Sequence, residues 1–396
     1  MLMPTVSLFV PFRCAQKAVL LKQLFDEPER GVRHSIGALI SQLAKELVPK
    51  NQWNELLVQL LQLCQHPNES HREIAMMLFT ALAENLTKSL KKHFRTLQGI
   101  FTAGLSDPSV KVRVEALKAL STLVDMLDIE DDEDPELVSS FAQVIEPLLG
   151  VMAAHFHEDD ILCAGFDVLD NLAQSPTNVL DPFIPKIAEL MARIAVNQQN
   201  QAGTREKAAK LLEDLIKHKV HKLLRPQNLI PALLEVSYAL VVEPFEEDDS
   251  DATPQRWGIE ILDAILLNIH IAKKDVFAGV LSKAGELVQS QNQEHRKGGF
   301  VILAIMADGC GQQLIDRLPS LIPVACAAMV QSPAESTVKV RMAACIVIEQ
   351  FADHLHPDIS AYHERILPHL MQVLANPNEH DMVKEKCCSA LDVFCK

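Results

Sequence analysis

An arginine that recurs at a regular interval within apolar, helix-forming segments is the feature that most constrains the fold. The arginines are Arg33, Arg72, Arg113, Arg205, Arg256, Arg296 and Arg341. Their spacings are 39, 41, 92, 51, 40 and 45 residues, and the long interval holds one further helical segment, Glu158–Ala173, without an arginine in register. A last copy, which carries lysine, begins near Met382. A period of roughly 44 residues predicts an all-α solenoid of about nine stacked helix pairs.

The clearest copy runs from Asp107 to Val124. Asp107 followed by proline is typical of a helix start. Most of the helix is apolar, apart from one narrow polar strip of Lys111, Glu115, Lys118 and Thr122. A helix of this kind is covered by neighbours on more than one face. Arg113 lies inside the apolar arc and needs a partner, and Asp107, six residues earlier, is the nearest candidate.

Two further signals repeat with the arginine. An aliphatic residue followed by proline recurs before several copies, with a glutamate in one variant, at Pro147, Pro185, Pro231, Pro323 and Pro368. Because proline suits the first turn of a helix, each unit should hold an outer helix beginning near the proline and an inner helix carrying the arginine. An acid also precedes the arginine by six residues in three units, as Glu27, Asp107 and Glu335. Stacking would arrange these acids and the seven arginines as a structural ladder.

We predict one array spanning residues 1–396. Its units cover approximately residues 12–46, 52–86, 89–126, 137–174, 182–218, 228–270, 274–309, 318–355 and 362–396, and the sixth contains an acidic insert at 243–251.

Composition restricts the function. Hydrophobic residues make up 48% of the chain but aromatic residues only 5%, which favours helices. The net charge of −15 disfavours direct nucleic-acid binding and suits basic protein partners. The nine cysteines include no Cys-x-x-Cys pair and are expected to be reduced thiols. No run approaches the ~20 apolar residues of a membrane span, so we expect no membrane insertion. We also expect a monomer.

No catalytic, cofactor or metal site is evident. Gly309-Cys310-Gly311 is predicted to cap the end of an inner helix rather than bind phosphate. His155, His157 and Glu158 cluster at a turn, whereas a metal site needs three or four converging ligands. An extended array seldom brings catalytic side chains together, so we predict that the chain is not an enzyme.

The acidic insert is the best candidate for a partner-binding site. It supplies Glu243, Glu246, Glu247, Asp248, Asp249 and Asp251, with Trp257 just beyond as an apolar anchor. A flexible clamp for a basic partner and a solvated surface loop both fit this run of charge.

The units resemble HEAT repeats. Two tracts narrow the resemblance, Asn51–Leu57 and His295–Gly311, together with the acidic insert directly before Pro254-Gln255. With these, the chain resembles the importin-β (karyopherin-β) superfamily, and within it the importin-four branch, from about Cys14 to Lys396. The HEAT resemblance implies a superhelical array. The family begins with about one more repeat and has roughly twice as many, so the chain is expected to be the amino-terminal half without the first repeat.

The resemblance implies nuclear import. Members bind basic cargo, such as histones and ribosomal proteins, on an acidic inner surface, and Ran-GTP releases it. They also bind FG-repeat nucleoporins and shuttle between cytoplasm and nucleus through nuclear pores. A different class stays open: a HEAT scaffold subunit that organises a multiprotein complex, for example around a phosphatase. The acidic insert and the His295–Gly311 tract favour the transport receptor.

Overall fold

The computed structural model describes residues 14–53, 55–91, 94–124, 135–174, 178–224, 229–244, 253–268, 275–332 and 336–396. Within these ranges the regular structure is helical and contains no strand. The chain divides into two compact units, Met1–Phe183 and Ile184–Lys396, hereafter unit 1 and unit 2.

Unit 1 contains four helix pairs, each made of an A helix followed by a B helix. They are α1 (Cys14–Asp26) and α2 (Arg30–Leu47), α3 (Glu55–Leu63) and α4 (Glu69–Lys91), α5 (Phe94–Leu105) and α6 (Val110–Leu123), and α7 (Pro135–Ala154) and α8 (Asp159–Gln174). The B helices α2, α4, α6 and α8 pack against one another in sequence, and α5 packs against α7.

Unit 2 contains five pairs. They are α9 (Ile184–Val196) and α10 (Ala202–His218), α12 (Leu229–Val241) and α13 (Pro254–Leu267), α14 (Asp275–Val288) and α15 (Gln293–Ile315), α16 (Leu318–Met329) and α17 (Val338–His354), and α18 (His363–Ala375) and α19 (Asp381–Phe394). A short helix, α11 (Val220–Leu224), follows α10. The B helices again pack in sequence, from α10 through α13, α15 and α17 to α19. In the described ranges there are thus nine pairs, in agreement with the number expected from the arginine period.

Helix α6 differs from its prediction at both its start and its polar strip. Its N-cap is Ser109, and Asp107 lies before the helix, where its Oδ1 accepts a hydrogen bond from the Ser109 amide at 2.9 Å. Glu115, on the predicted polar strip, is buried because side chains from other turns reach it, whereas Val110 is partly exposed. The neighbouring helices therefore cover α6 further round than its polarity pattern indicates.

Stacked phenylalanines fill the core of unit 1. The Phe79 and Phe101 rings meet edge to face at 5.6 Å between centroids, and Phe94 stacks on Phe141 at 4.2 Å. These rings join α4, α5 and α7, and all four are almost fully buried. Aromatic pairs of this geometry add stabilisation beyond the area that they bury.

The prediction that A helices begin at a proline is wrong for three of them. Pro185 and Pro231 do lie in the first turns of α9 and α12, but Pro147, Pro323 and Pro368 lie inside α7, α16 and α18. A proline removes one backbone hydrogen bond from a helix interior. Each helix nevertheless continues past its proline, and Leu148, Ala325 and Leu370 in the continuing segments are buried.

Helix α15 is the longest described in unit 2, and its helical backbone is interrupted at the predicted cap, Gly309-Cys310-Gly311. Cys310 has a φ of −129° and a ψ of 21°, outside the helical range, and a second helical segment continues to Ile315. By length and composition it could cross a membrane, but 61% of its apolar window is buried within the protein. It packs against α13, α14 and α17, as a core helix does.

Candidate functional site

The recurring arginine closes the turn between the A and B helices of its own pair. In the second pair, Arg72 Nη1 donates to the backbone oxygens of His66 and Pro67, both at 2.9 Å. Arg33 and Arg113 make the same bonds to carbonyls five and six residues earlier, and Arg341 Nη1 donates to the Ser336 oxygen five residues earlier. The fixed spacing from proline to arginine thus positions a guanidinium over the carbonyls of the turn.

The carboxylate partner comes from the following pair, not from the arginine's own turn. Asp107 accepts from Arg72 Nε and Nη2 at 2.7 and 3.0 Å, whereas Arg113 contacts only its backbone oxygen. Burial alone would raise the pKa of Asp107, but the hydrogen bonds from Arg72 and Ser109 outweigh this effect and lower it. The expected six-residue ion pair between Asp107 and Arg113 is therefore wrong, since stacking turns the Asp107 side chain toward the preceding pair.

Two more such bridges lie in unit 2. Glu243 binds Arg205 with both oxygens, at 2.8 and 2.6 Å, and Glu379 Oε1 accepts from Arg341 at 3.2 and 2.8 Å. Arg296 bonds instead to Gln331, which is uncharged. Arg256 departs from the ladder, because it is exposed and pairs with Glu260 one turn along its own helix at 2.9 Å. Glu335 lies outside the described residues.

The acidic insert can be described only in part. Glu246, Glu247, Asp248, Asp249 and Asp251 lie outside the described residues. Glu243 is held by Arg205, as above, and is a ladder residue rather than a free carboxylate. Trp257 is 5% exposed, and the Arg205 Cζ atom lies 5.9 Å from its ring centroid. Trp257, predicted as an apolar anchor for a partner, is therefore buried against the Arg205 side chain in this structure.

A different acidic surface lies along the B helices of unit 2. We name it the acidic stripe, and it consists of Asp263 in α13, Asp308 in α15, Asp353 in α17 and Asp392 in α19. The last three side chains are 49%, 64% and 69% exposed. One aspartate per successive B helix gives a row of carboxylates that follows the stacking of the helices.

The members of the stripe lie close enough to interact. His354 Nδ1 is 3.5 Å from Asp308 Oδ1, and its Nε2 is 3.7 Å from Asp353 Oδ2. Burial raises the pKa of Asp263, and the charge of Asp308 raises it further. At the far end, Lys396 Nζ lies 2.7 Å from Asp392 Oδ2. The row is therefore one electrostatic surface rather than separate charges.

The spacing of these aspartates along the sequence is a signal for the stripe. Asp263, Asp308 and Asp353 follow one another at intervals of 45 residues, and Asp308 and Asp353 each lie 12 residues after their arginine. The arginine period alone does not reveal the stripe, because an isolated aspartate near the end of a helix carries no local pattern. The predicted binding site was instead a run of consecutive acids.

Other candidate chemistry is limited in the described ranges. There, no group of three or more His, Cys, Asp or Glu side chains converges as metal ligands would. His155 Nδ1 lies 2.8 Å from Glu158 Oε1, which is a turn contact. No disulfide is formed by the described cysteines Cys64, Cys163, Cys310, Cys326, Cys345, Cys387, Cys388 and Cys395. Burial raises the pKa of Cys64 to about 12 and those of Cys310 and Cys326 to about 11. Buried thiols of this kind are unreactive at neutral pH.

Comparison with known proteins gives matches of three kinds. A family model described as "IPO5-like, TPR repeats" matches residues 28–190. Importin-4 of Mus musculus is 24% identical over 378 residues, which cover 89% of this chain and 34% of the relative. Importin-4 of Homo sapiens is 24% identical over 396 residues, which cover 94% of this chain and 36% of the relative. This chain thus spans about a third of the length of the curated relatives that it matches.

Among solved structures, that of Kap121p matches with a TM-score of 0.78 at 20% identity, over 96% of this chain and 37% of the other. Other crystal structures of Kap121p that match show it bound to RanGTP, to Pho4p and to Nup53p. Stacked A–B pairs, turns closed by arginine and bridges between successive pairs define the class: a HEAT-repeat solenoid. The sequence matches show that the chain is similar to importin-4 proteins and, over residues 28–190, to the importin-5-like family model.

Proposed function

We propose that this chain is part of a nuclear transport receptor that binds basic protein cargo on the acidic stripe and releases the cargo when Ran-GTP binds. The observation that carries the proposal is the row of exposed aspartates on successive B helices. It is a binding function and involves no catalysis. Receptor and cargo would meet in the cytoplasm and separate in the nucleus.

Electrostatics supports a basic partner. Carboxylates aligned on one surface attract a lysine- or arginine-rich segment over long range and raise its association rate. The net charge of −15 adds to the same attraction. Because the aspartates repeat from helix to helix, an extended basic segment can contact several of them at once. Histones and ribosomal proteins are partners of this chemistry.

The comparisons support the other partners. The crystal structures of Kap121p include complexes with RanGTP, with Nup53p and with Pho4p. We extend these classes to this chain as Ran-GTP, FG-repeat nucleoporins and a cargo protein. The acidic insert, with Glu246, Glu247, Asp248, Asp249 and Asp251, is a second candidate contact for the basic cargo.

Binding to a histone tests the receptor function. We expect the full chain to bind a core histone, and we expect Ran-GTP, but not Ran-GDP, to displace it. The measurement is a pull-down or fluorescence titration with each nucleotide form. Histone binding that neither form displaces would contradict the receptor proposal and favour the HEAT scaffold.

A paired substitution tests the stripe. Asp308→Asn with Asp353→Asn should weaken histone binding about tenfold and flatten its dependence on salt, because two exposed charge contacts are lost. The matched control, Glu286→Gln with Glu364→Gln, removes the same charge from the A helices α14 and α18. Equal affinities for the two paired variants would exclude the stripe as the binding site.

A further inference from the structure

The B helices of unit 1 carry a surface of opposite charge to the acidic stripe. Two depressions lie there, of about 330 and 310 Å³. Glu115 lines the first and Arg30 lines the second, and the ion pair between them, at 2.7 Å, joins the two. We name the joined surface the basic groove; its cations are Arg30, Arg33, Lys111 and Lys118.

The arrangement of Glu115 makes the groove present positive charge. This carboxylate is 3% exposed and accepts from Arg30 and Lys118, at 2.7 and 3.0 Å. The two cations are 57% and 42% exposed. A single buried carboxylate thus holds two cations whose outer surfaces face solvent. Since one negative charge cannot cancel two positive ones, the pair retains net positive charge.

The remaining charges do not cancel this excess. Arg33 is held by the backbone oxygens of Glu27 and Pro28, which do not neutralise a guanidinium. Lys111 is exposed on the first turn of α6. Glu73 and Asp160 line the same depression and offset part of the positive charge. Together with Glu115 they make three carboxylates, one fewer than the four cations. The lining thus carries a net charge of +1, in a chain whose net charge is −15.

The groove also has the shape and lining of a polypeptide site. The first depression is lined in part by small residues that project little into it, Gly37, Ala38 and Ala81. On its floor, Asn85 Nδ2 donates to Ser41 Oγ at 2.8 Å. Val110 and Val114 line the second depression. Small, amide-bearing and aliphatic side chains between cations suit a peptide that has both acidic and apolar side chains.

We propose that the basic groove docks an acidic polypeptide segment of a partner protein. The groove spans α2, α4 and α6, so an extended segment would contact three successive B helices. Nucleic acid is the other polyanion that the cations could attract, but the overall charge of the chain repels a long polyanion. The inference does not depend on cargo binding by the acidic stripe, which lies in unit 2.

A fluorescein-labelled ten-residue polyglutamate peptide is the probe. We expect the full chain to bind it in low salt, and Arg30→Gln with Lys111→Gln to weaken binding about tenfold, since two charge contacts to the peptide are lost. The control, Lys22→Gln with Lys45→Gln, removes the same charge from α1 and α2 outside the groove. Equal weakening in both pairs, or none in either, would overturn the proposal.

Two additions keep the test decisive. Because Arg30→Gln releases buried Glu115 from one partner, Lys111→Glu alone provides a second variant in which this ion pair is intact. It should weaken polyglutamate binding without changing the circular dichroism melting curve. A ten-nucleotide single-stranded DNA that binds more tightly than polyglutamate, and loses affinity in the same groove variants, would assign the groove to nucleic acid and overturn the proposal.

Discussion

Arg341 illustrates the energetics of the repeated arginine. Its guanidinium is almost fully buried and binds Glu379 and the Ser336 carbonyl. Removing both charges from water costs several kcal/mol, so the pair adds little stability compared with two apolar residues. Removing only one partner is far more damaging, because it leaves a buried charge uncompensated. The bridge therefore favours one stacking arrangement of the helices over others.

Removing one carboxylate of the ladder should loosen the last two pairs. Glu379→Ala should lower the opening free energy of α17 and α19 by about 3 kcal/mol, because Arg341 then lacks its counterion. Arg256→Ala, which removes the exposed ion pair with Glu260, should change this opening free energy by less than about 0.5 kcal/mol. Amide hydrogen exchange in α17 and α19 measures both. Similar protection in the two variants would mean that the buried bridge is not structural.

The Arg72–Asp107 bridge predicts a pH dependence of unit 1. The pKa of Asp107 is lowered in the folded protein, so its contribution to stability is complete above the unfolded value of about 4 and is lost as pH falls through the folded value. The stability difference between the wild type and Asp107→Asn should therefore be constant from pH 7 to 5 and shrink below pH 4. Melting curves across this range provide the measurement. A difference that grows on acidification would have the wrong sign.

The sequence could predict the arginines and their turns but not the carboxylate that each one binds. The distance from Pro108 to Arg113 is local, and backbone geometry determines it. The choice between an acid six residues before and an acid in the next pair depends on how the helices stack. The acidic stripe could not be predicted for the same reason: only the stacking of successive B helices brings its aspartates together.

At the scale of helices, glycine decides how closely α14 and α15 approach. A Cβ added at Gly299 would lie 2.6 Å from the Val288 nitrogen and 2.9 Å from the Ala284 oxygen. Backbone atoms cannot move aside as a flexible side chain can, so only glycine fits. This gives a physical reason for the Gly298-Gly299 step within the tract that resembled the importin-β family. The sequence showed the tract, but the helix contact that requires it is tertiary.

Two alanine substitutions on these helices should have opposite effects. Gly299→Ala should destabilise unit 2 by about 1–3 kcal/mol, through the clash with the α14 backbone. Gly285→Ala, in α14 itself, meets nothing within 4 Å and should stabilise by about 0.4–1 kcal/mol. Differential scanning calorimetry of both variants tests the prediction. Equal shifts in melting temperature would show that α14 and α15 are not in close contact.

For the molecule as a whole, charge is arranged by unit. The described B helices of unit 1 carry the basic groove, and those of unit 2 carry the acidic stripe. The period of the arginines predicted the number of pairs, because stacking repeats a local unit. The distribution of charge could not be read in the same way, since each repeat contributes one or two charges whose exposure depends on its neighbours.

The acidic insert gives a prediction at this scale. Replacing Glu246, Glu247, Asp248 and Asp249 with Ser should weaken binding of a basic partner and flatten its salt dependence. The long-range electrostatic attraction decreases when negative charges are removed. The measurement is histone affinity at several salt concentrations. An unchanged salt slope would leave the insert a passive connection between α12 and α13.

The bridge between Arg72 and Asp107 has a consequence for how such an array can be lengthened or shortened. Arg72, Arg205 and Arg341 take their counterion from the next pair, so an array truncated just after one of these pairs keeps the cation and loses its carboxylate. The array can end without an unpaired buried cation only beyond the carboxylate of the following turn. Shortened forms of this chain should therefore tolerate an end between the turn carboxylate and the arginine of the same pair better than an end between the pairs.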